Sequence, residues 1–472
     1  MKIDSKKLER QELGVNTWFK AGKRGTLHYF TGVGKTFTAV LIIKALFRKD
    51  DIHNIVVIVP SEELVNQWND VLSKSFTKKQ LTLISVFTPN YVLVNDLRVQ
   101  TNTIIADELH EYVSDEFFKV INGEYIRFDN TLGLTATYKD SKGRHTILQE
   151  LYPIIDEITE EEALKEGYIA PYVEFNLSVR LTQEEQDKYK AYSKLISKGI
   201  SKFGKGGFGL AAKCLSGGYH GGKKYKGSHF VWGWAVYNGY NTNLDLNNPL
   251  HASINEMWNP NKIFGYASSL LNNTRKRKDL LYNAINKLEV SKELFFKFSD
   301  LKAIVFSQST AFADKLDLTL NLTEPNSSVV YHSKLQTRLL PSPKTGKLIK
   351  FGAGRLKKLA ISSIKSGKAR GICTASSLDK GFDVQDVVLG ITASGTSNFT
   401  QYKQRGGRVK RIDMFNPSKT ALLVNLYVKD TKDEVWLKKR QSESSHKIYW
   451  VDSIDEVNFN PVDKEEFSID DM

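Results

Sequence analysis

Cysteine is nearly absent: Cys214 and Cys373 are the only two in 472 residues, far apart and without histidine or cysteine companions at ligand spacing. Neither a disulfide framework nor a cysteine-based zinc site is therefore indicated, and a reducing compartment fits. No apolar run approaches the roughly 18 residues that a membrane-spanning helix needs. The start, Met1-Lys2-Ile3-Asp4-Ser5-Lys6-Lys7, lacks the apolar centre of a signal peptide. A soluble cytoplasmic protein with no membrane partner is expected. Acidic residues are missing from two long stretches. Lys188 to Asn243 holds ten lysines and no Asp or Glu, and Lys334 to Arg370 is likewise free of carboxylates. The formal net charge is +14, which points to a polyanionic partner and says nothing about the fold.

What is present is organised around Phe30-Thr31-Gly32-Val33-Gly34-Lys35-Thr36. Apolar residues lead in through Leu27 and a helix-forming stretch follows to Leu46, so the segment reads strand, tight turn, helix. Gly32 and Gly34 allow backbone N–H groups to turn inward around polyphosphate, the helix adds its positive end, Lys35 can reach the outer phosphates and Thr36 can hold Mg²⁺. Tyr29 stands where the strict pattern has a further glycine. Gln11, upstream on a helix-like stretch that opens at Arg10, offers the donor and acceptor pair that adenine requires.

Strands and helices then alternate. Asn54 to Pro60 is a β-branched run suited to a strand buried on both faces, Ser61 caps a helix that runs through Trp68, and Leu83 to Thr88 is again strand-like. Thr103 to His110 sets Asp107 and Glu108 at the end of an apolar strand. In open α/β sheets ligands bind beyond the carboxyl ends of strands, which brings both acids beside the phosphate loop. Asp107 can hold Mg²⁺ through water and Glu108 can orient and deprotonate an attacking water.

Gly32-Val33-Gly34-Lys35-Thr36, Asp107-Glu108-Leu109-His110 and Gly133-Leu134-Thr135-Ala136-Thr137 resemble three ordered motifs of superfamily 2 helicases with a DExH box. Val59 to Trp68 resembles motif Ia of the XPB and UvsW-like branch, and Gln11 matches the adenine-sensing glutamine. Lys302 to Ser307 resembles motif IV, and Ile372 to Val384 resembles motif V. Gln404-Arg405-Gly406-Gly407-Arg408-Val409-Lys410-Arg411 matches motif VI at each fixed position. The resemblance implies an α/β fold of two tandem RecA-like parallel-sheet domains with an inserted Gly/Lys/aromatic-rich element. It makes ATP and Mg²⁺ the cofactors, Arg408 and Arg411 arginine fingers, Gln404 a γ-phosphate contact and Asp383 a neighbour of the ribose. His110, Thr135 and Thr137 couple hydrolysis to movement. Among relatives it is similar to phage branch-migration DNA helicases, which implies forked or four-way DNA as partner, a role in recombination or repair, and the host cytoplasm for a phage-encoded chain. An RNA helicase, or an ATP-switched remodeller that does not separate strands, stays open beside it. A monomer is expected.

The expected organisation is a first motor domain over 1–165, a linker and inserted element over 166–290, a second motor domain over 291–445 and an acidic tail over 446–472. In the insert, cations and aromatics interleave, and Phe230, Trp232, Trp234 and Val236 alternate ahead of the turn dipeptide Asn238-Gly239. Two readings stand. One is a hairpin contacting nucleic acid through Lys223, Lys224, Trp232 and Trp234, with Thr88 a further contact in the first domain. The other is a small accessory core in which the tryptophans are buried beside a Gly/Lys loop.

Overall fold

A computed structural model describes residues 5–138, 143–203, 207–220, 223–225, 227, 260–341, 346–375, 386–413, 415–444 and 446–461. The β-branched run expected to be buried on both faces is so: Ile55–Ile58 is a strand with every residue buried. It belongs to a six-stranded sheet whose neighbours run Ile84–Phe87, Ile55–Ile58, Val99–Asp107, Ile126–Thr135, Arg24–Tyr29 and Ile154–Ile158. All pairings in it are parallel. Parallel strands end on one side, so Tyr29, Asp107 and Thr135 terminate along the same edge, and the loops that carry the acidic residues and those expected to bind phosphate converge there.

The first helix, Ser5–Lys20, already runs at the first described residue, ahead of the expected opening at Arg10. Its lysine-rich start hides the pattern, which lies in the buried face formed by Gln11, Gly14, Val15 and Trp18. Trp18 is wholly buried and its indole N–H donates to Thr131 O at 2.9 Å, which locks this helix onto the sheet.

A second sheet has seven strands in the order Ser328–His332, Gly371–Ala375, Ala303–Ser307, Leu389–Thr392, Ala421–Val428, Tyr172–Val179 and Tyr449–Val451. The chain thus contributes Tyr172–Val179 to this sheet before it enters the insert, and Tyr449–Val451, inside the stretch read as an acidic tail, closes the edge in parallel register. A buried polar cluster fixes the early strand: Glu174 accepts from Tyr402 Oη at 2.8 Å and Asn425 Nδ2 at 2.7 Å, and Asn176 Nδ2 donates to Gln441 at 2.9 Å. Each buried polar group has a partner, so the cluster specifies one register and carries little desolvation penalty.

The chain forms two compact units, Met1–Ser178 with Ser291–Met472, and Val179–Val290. In the second unit the helices Gln183–Phe203, Gly207–Ser216 and Pro260–Tyr282 share a core of Ile196, Phe203, Leu210, Ala211, Cys214, Ile263, Ala267 and Leu270. Gly218–His220 pairs antiparallel with Lys223–Tyr225. Trp232, Trp234 and the Asn238-Gly239 turn lie outside the described residues. A side chain at Gly199 would begin 2.9 Å from Leu270 Cβ. Gly199→Val is expected to destabilise this helical unit by about 1–3 kcal/mol. Limited proteolysis reads it as faster cutting within 179–290, with the other unit as resistant as before.

Candidate nucleotide site

The phosphate-binding loop has the backbone its glycines permit. Gly32 and Gly34 take φ of 97° and 105°, left-handed values that L side chains adopt only with strain. Gly34 also caps the helix Lys35–Lys49 with no side-chain hydrogen bond, so the first amide groups of that helix remain available to an anion. A Cβ on Gly34 would sit 2.4 Å from Gln11 Nε2. Gln11 is buried and donates to Val33 O at 2.8 Å, so it braces the loop itself. Lys35 opens the helix and its ammonium donates to Tyr29 O at 3.4 Å; Thr36 follows it, half-buried.

Across the sheet edge, Asp107 is buried and both carboxylate oxygens are held: Oδ2 accepts from the indole N–H of Trp68 at 2.8 Å, and Oδ1 from Glu108 N at 3.0 Å. Burial and the neighbouring Glu108 push its carboxyl up to about 6, against the lowering by the Trp68 bond and Lys35. Glu108 adopts φ 52° and ψ 52°, an uncommon conformation for a residue with a side chain, and it turns the chain from the strand into the 3₁₀ turn Leu109–Tyr112. The Thr135 hydroxyl donates to Thr137 O at 2.7 Å, so its 2.9 Å contact with His110 Nδ1 is one in which the histidine donates. Glu108 Oε2 lies 3.5 Å from the same nitrogen, which links the acid to the Thr135-Ala136-Thr137 turn through a single ring.

The second sheet brings the arginine-rich helix Phe399–Val409 directly onto this loop. A Cβ on Gly407 would approach Thr31 Cβ to 2.5 Å, and one on Gly32 would lie 3.6 Å from Gly407 O and 3.8 Å from Arg411 Cγ. Gln404 and Arg408 are buried in the same helix. Arg405 anchors it by donating to Ser394 O at 2.9 Å and Ser307 O at 3.2 Å, both at strand ends of the second sheet. Lys35, Asp107, Glu108, Gln11, Gly32, Gly34, Thr36 and Arg411 therefore belong to one neighbourhood. Thr31 Oγ1 and Glu108 Oε2 are buried there without a hydrogen-bond partner among the described residues, as polar atoms are when a ligand supplies the missing partner.

A family model described as "Type III restriction enzyme, res subunit" matches residues 5–140. The "DNA 3'-5' translocase XPB2" of Sulfurisphaera tokodaii is 24% identical over 444 residues, 90% of this chain and 82% of that one. Among solved structures, S. cerevisiae Dbp5 bound to RNA and ADP BeF3 aligns with a TM-score of 0.56 at 12% identity, over 94% of this chain and 90% of that chain. The fold is superfamily 2 DExH-box helicase-like, related to these proteins. Its tandem RecA-like sheets are the two parallel sheets described above.

Further expected residues are carried by other elements of this helicase-like fold. Thr88 caps the short helix Pro89–Val94 by accepting from Tyr91 N at 3.2 Å, at the end of the strand Ile84–Phe87. Lys223 and Lys224 are in the small antiparallel pair of the second unit. Asp383 falls outside the described residues. Two contacts had no sequence signal, although Trp68 ends the stretch that resembles motif Ia. Trp68 reads as an ordinary apolar helix position, and Lys7, whose ammonium donates to Gly32 O at 2.9 Å and Tyr168 O at 3.2 Å, reads as one of many surface lysines. The contact that completes this candidate site is the bare backbone of Gly407 on Thr31. Gly407→Val is expected to lower nucleotide hydrolysis by about a hundredfold, because a displacement near 1 Å has consequences of that order. Phosphate release measures the fall, and a melting temperature within a few degrees of wild type shows the fold intact.

Proposed function

We propose that this chain is an ATP-dependent DNA helicase or translocase that remodels forked or four-way junctions. The observation that carries the reading is the approach of the Phe399–Val409 helix, with Arg411, to Gly32 of the phosphate loop, since a second lobe that meets the nucleotide lets hydrolysis drive relative movement. Lys35 and the amides of the loop would hold the phosphates, Thr36 and Asp107 would hold Mg²⁺, and Gln11 would meet the adenine. Mg²⁺, when bound, neutralises charge on the phosphate oxygens. Glu108 would act as the base for water, with His110 relaying its state to Thr135 and Thr137. Arg408 and Arg411 bring planar, permanently charged donors to the charge that builds on the transferred group. Asp383 is proposed near the ribose.

DNA as partner is supported by the name of the Sulfurisphaera tokodaii relative, a DNA translocase. RNA is the second reading, favoured by the RNA bound in the Dbp5 structure. Charge placement supports a polyanion in either case: residues 179–290 hold seventeen Lys and Arg against seven Asp and Glu, a net +10 of the chain's +14. On the helix Gln183–Phe203, Lys190, Lys194 and Lys198 recur every fourth residue and are exposed, so they form one stripe.

Hydrolysis stimulated by single strand, duplex, four-way DNA and RNA, with strand displacement scored in parallel, separates the readings. Preference for RNA, or stimulation without displacement, rejects the first. Lys35→Ala is expected to abolish hydrolysis and displacement while DNA binding stays within a factor of about 3, and hydrolysis retained in that variant contradicts the assigned cradle. Replacing Lys190, Lys194 and Lys198 by Ala is expected to weaken binding evenly across sequences. It should also flatten the plot of log affinity against log salt by about 0.9 for each duplex phosphate that is no longer neutralised. An unchanged slope removes that stripe from the interface.

A further inference from the structure

Lys410 caps the end of the helix Phe399–Val409, between Arg408 and Arg411, and the nucleotide chemistry gives it no task. It is buried, and its ammonium donates to Glu160 Oε1 at 2.7 Å. The same carboxylate oxygen accepts the Tyr172 hydroxyl at 2.7 Å. The ammonium lies 3.4 Å from the centroid of the Tyr172 ring and 5.7 Å from that of Phe30. The Lys410 carbonyl accepts from Ala170 N at 2.8 Å. Lys403, on the same helix, lies 5.7 Å from the Phe30 ring as well, and Phe30 directly precedes Thr31, on which Gly407 rests. Glu160 belongs to the helix Glu160–Lys165 that follows the last strand of the first sheet, and Tyr172 begins a strand of the second.

We infer that Lys410 is a positioning residue that fastens the arginine-bearing helix to the phosphate loop at a single register, through Glu160 on one lobe and Tyr172 on the other. The inference rests on the reading of Arg408 and Arg411 as phosphate-facing groups. A buried ammonium and a largely buried carboxylate are stable only together. Any sliding of the helix along the loop leaves both charges uncompensated, so intermediate registers are disfavoured and the closed arrangement is discrete. Burial by itself would raise the Glu160 carboxyl, yet Lys410 and Tyr172 hold it below the ordinary carboxylate range, as a pair kept ionised requires. The rings of Phe30 and Tyr172 contribute their negative faces to the same cation and exclude water from it.

The test uses the full chain with Lys410→Met, Lys410→Arg and Glu160→Gln, the last keeping an acceptor for Tyr172 while removing the charge. Lys410→Met and Glu160→Gln are expected to lower kcat of DNA-stimulated hydrolysis by about tenfold or more, with equilibrium affinities for a fluorescent ATP analogue and for single-stranded DNA kept within about threefold, and Lys410→Arg is expected to recover most of the turnover. Turnover at the wild-type level in both charge-removing variants overturns the inference. So does a parallel fall of turnover, both affinities and melting temperature in Glu160→Gln, which marks a merely structural pair. A wild-type chain without DNA-stimulated hydrolysis is a different outcome, and it sinks the functional reading itself.

Discussion

The bare backbone of Gly407, packed against the Thr31 side chain, sets the terms for the rest of this molecule. Attraction at such a distance is small, but the approach determines what else can be within reach. With a side chain at 407 the arginine-rich helix stands off by the width of a methyl group, and Arg411 no longer lies beside Gly32. The loop contributes a glycine of its own, since a Cβ on Gly32 would lie 3.6 Å from Gly407 O. A polyphosphate held here would have donors from both lobes at close range, and the energetic leverage of charged donors in a water-poor gap is large because the dielectric is low.

That closeness brings buried charge with it, and the structure meets each case locally. Asp107 receives two donors, Trp68 and the Glu108 amide, because an ionised carboxylate at full burial otherwise neutralises itself. Arg10 answers Asp156 with two bonds at 2.7 and 2.9 Å while Tyr29 Oη donates to the same carboxylate at 2.6 Å, so the helix carrying Gln11 is tied to the last strand of the first sheet. Glu174 gathers Tyr402, Asn425 and Gln441 behind the arginine-bearing helix. In each case the acid serves geometry: it fixes an element that in turn aims a residue at the phosphate loop.

The parts legible in the sequence were those with short-range patterns. Ile55 to Ile58 announces a doubly buried strand by β-branching, Gly32 and Gly34 announce a turn by their freedom at positive φ, and Asp107 and Glu108 announce a strand end by interrupting an apolar run. What stayed hidden depends on contacts distant in the chain. Trp68 meets Asp107 across 39 positions and Lys7 meets Gly32 across 25, and nothing near either residue distinguishes it from a core tryptophan or a solvated lysine. The helical character of 183–203 was hidden differently, since a lysine-rich run with three buried positions, Ile196, Gly199 and Phe203, reads as a charged linker until the facing helix Pro260–Tyr282 supplies the other half of its core.

The uneven placement of charge gives these parts a common logic. With +10 on residues 179–290, the remaining residues hold only +4 between them. A phosphate site surrounded by excess cations would attract polyanions indiscriminately and would resist releasing its products, because exposed like charges add over a Debye length of about 8 Å at physiological salt. Most of the surplus is thus carried by the residues of the helical unit, while those of the other unit come close to charge balance. Under the proposed function, the affinity for nucleic acid and the rate of the chemical step would respond to different residues. A translocating protein needs that separation, because it must hold its track through the stage at which its nucleotide leaves.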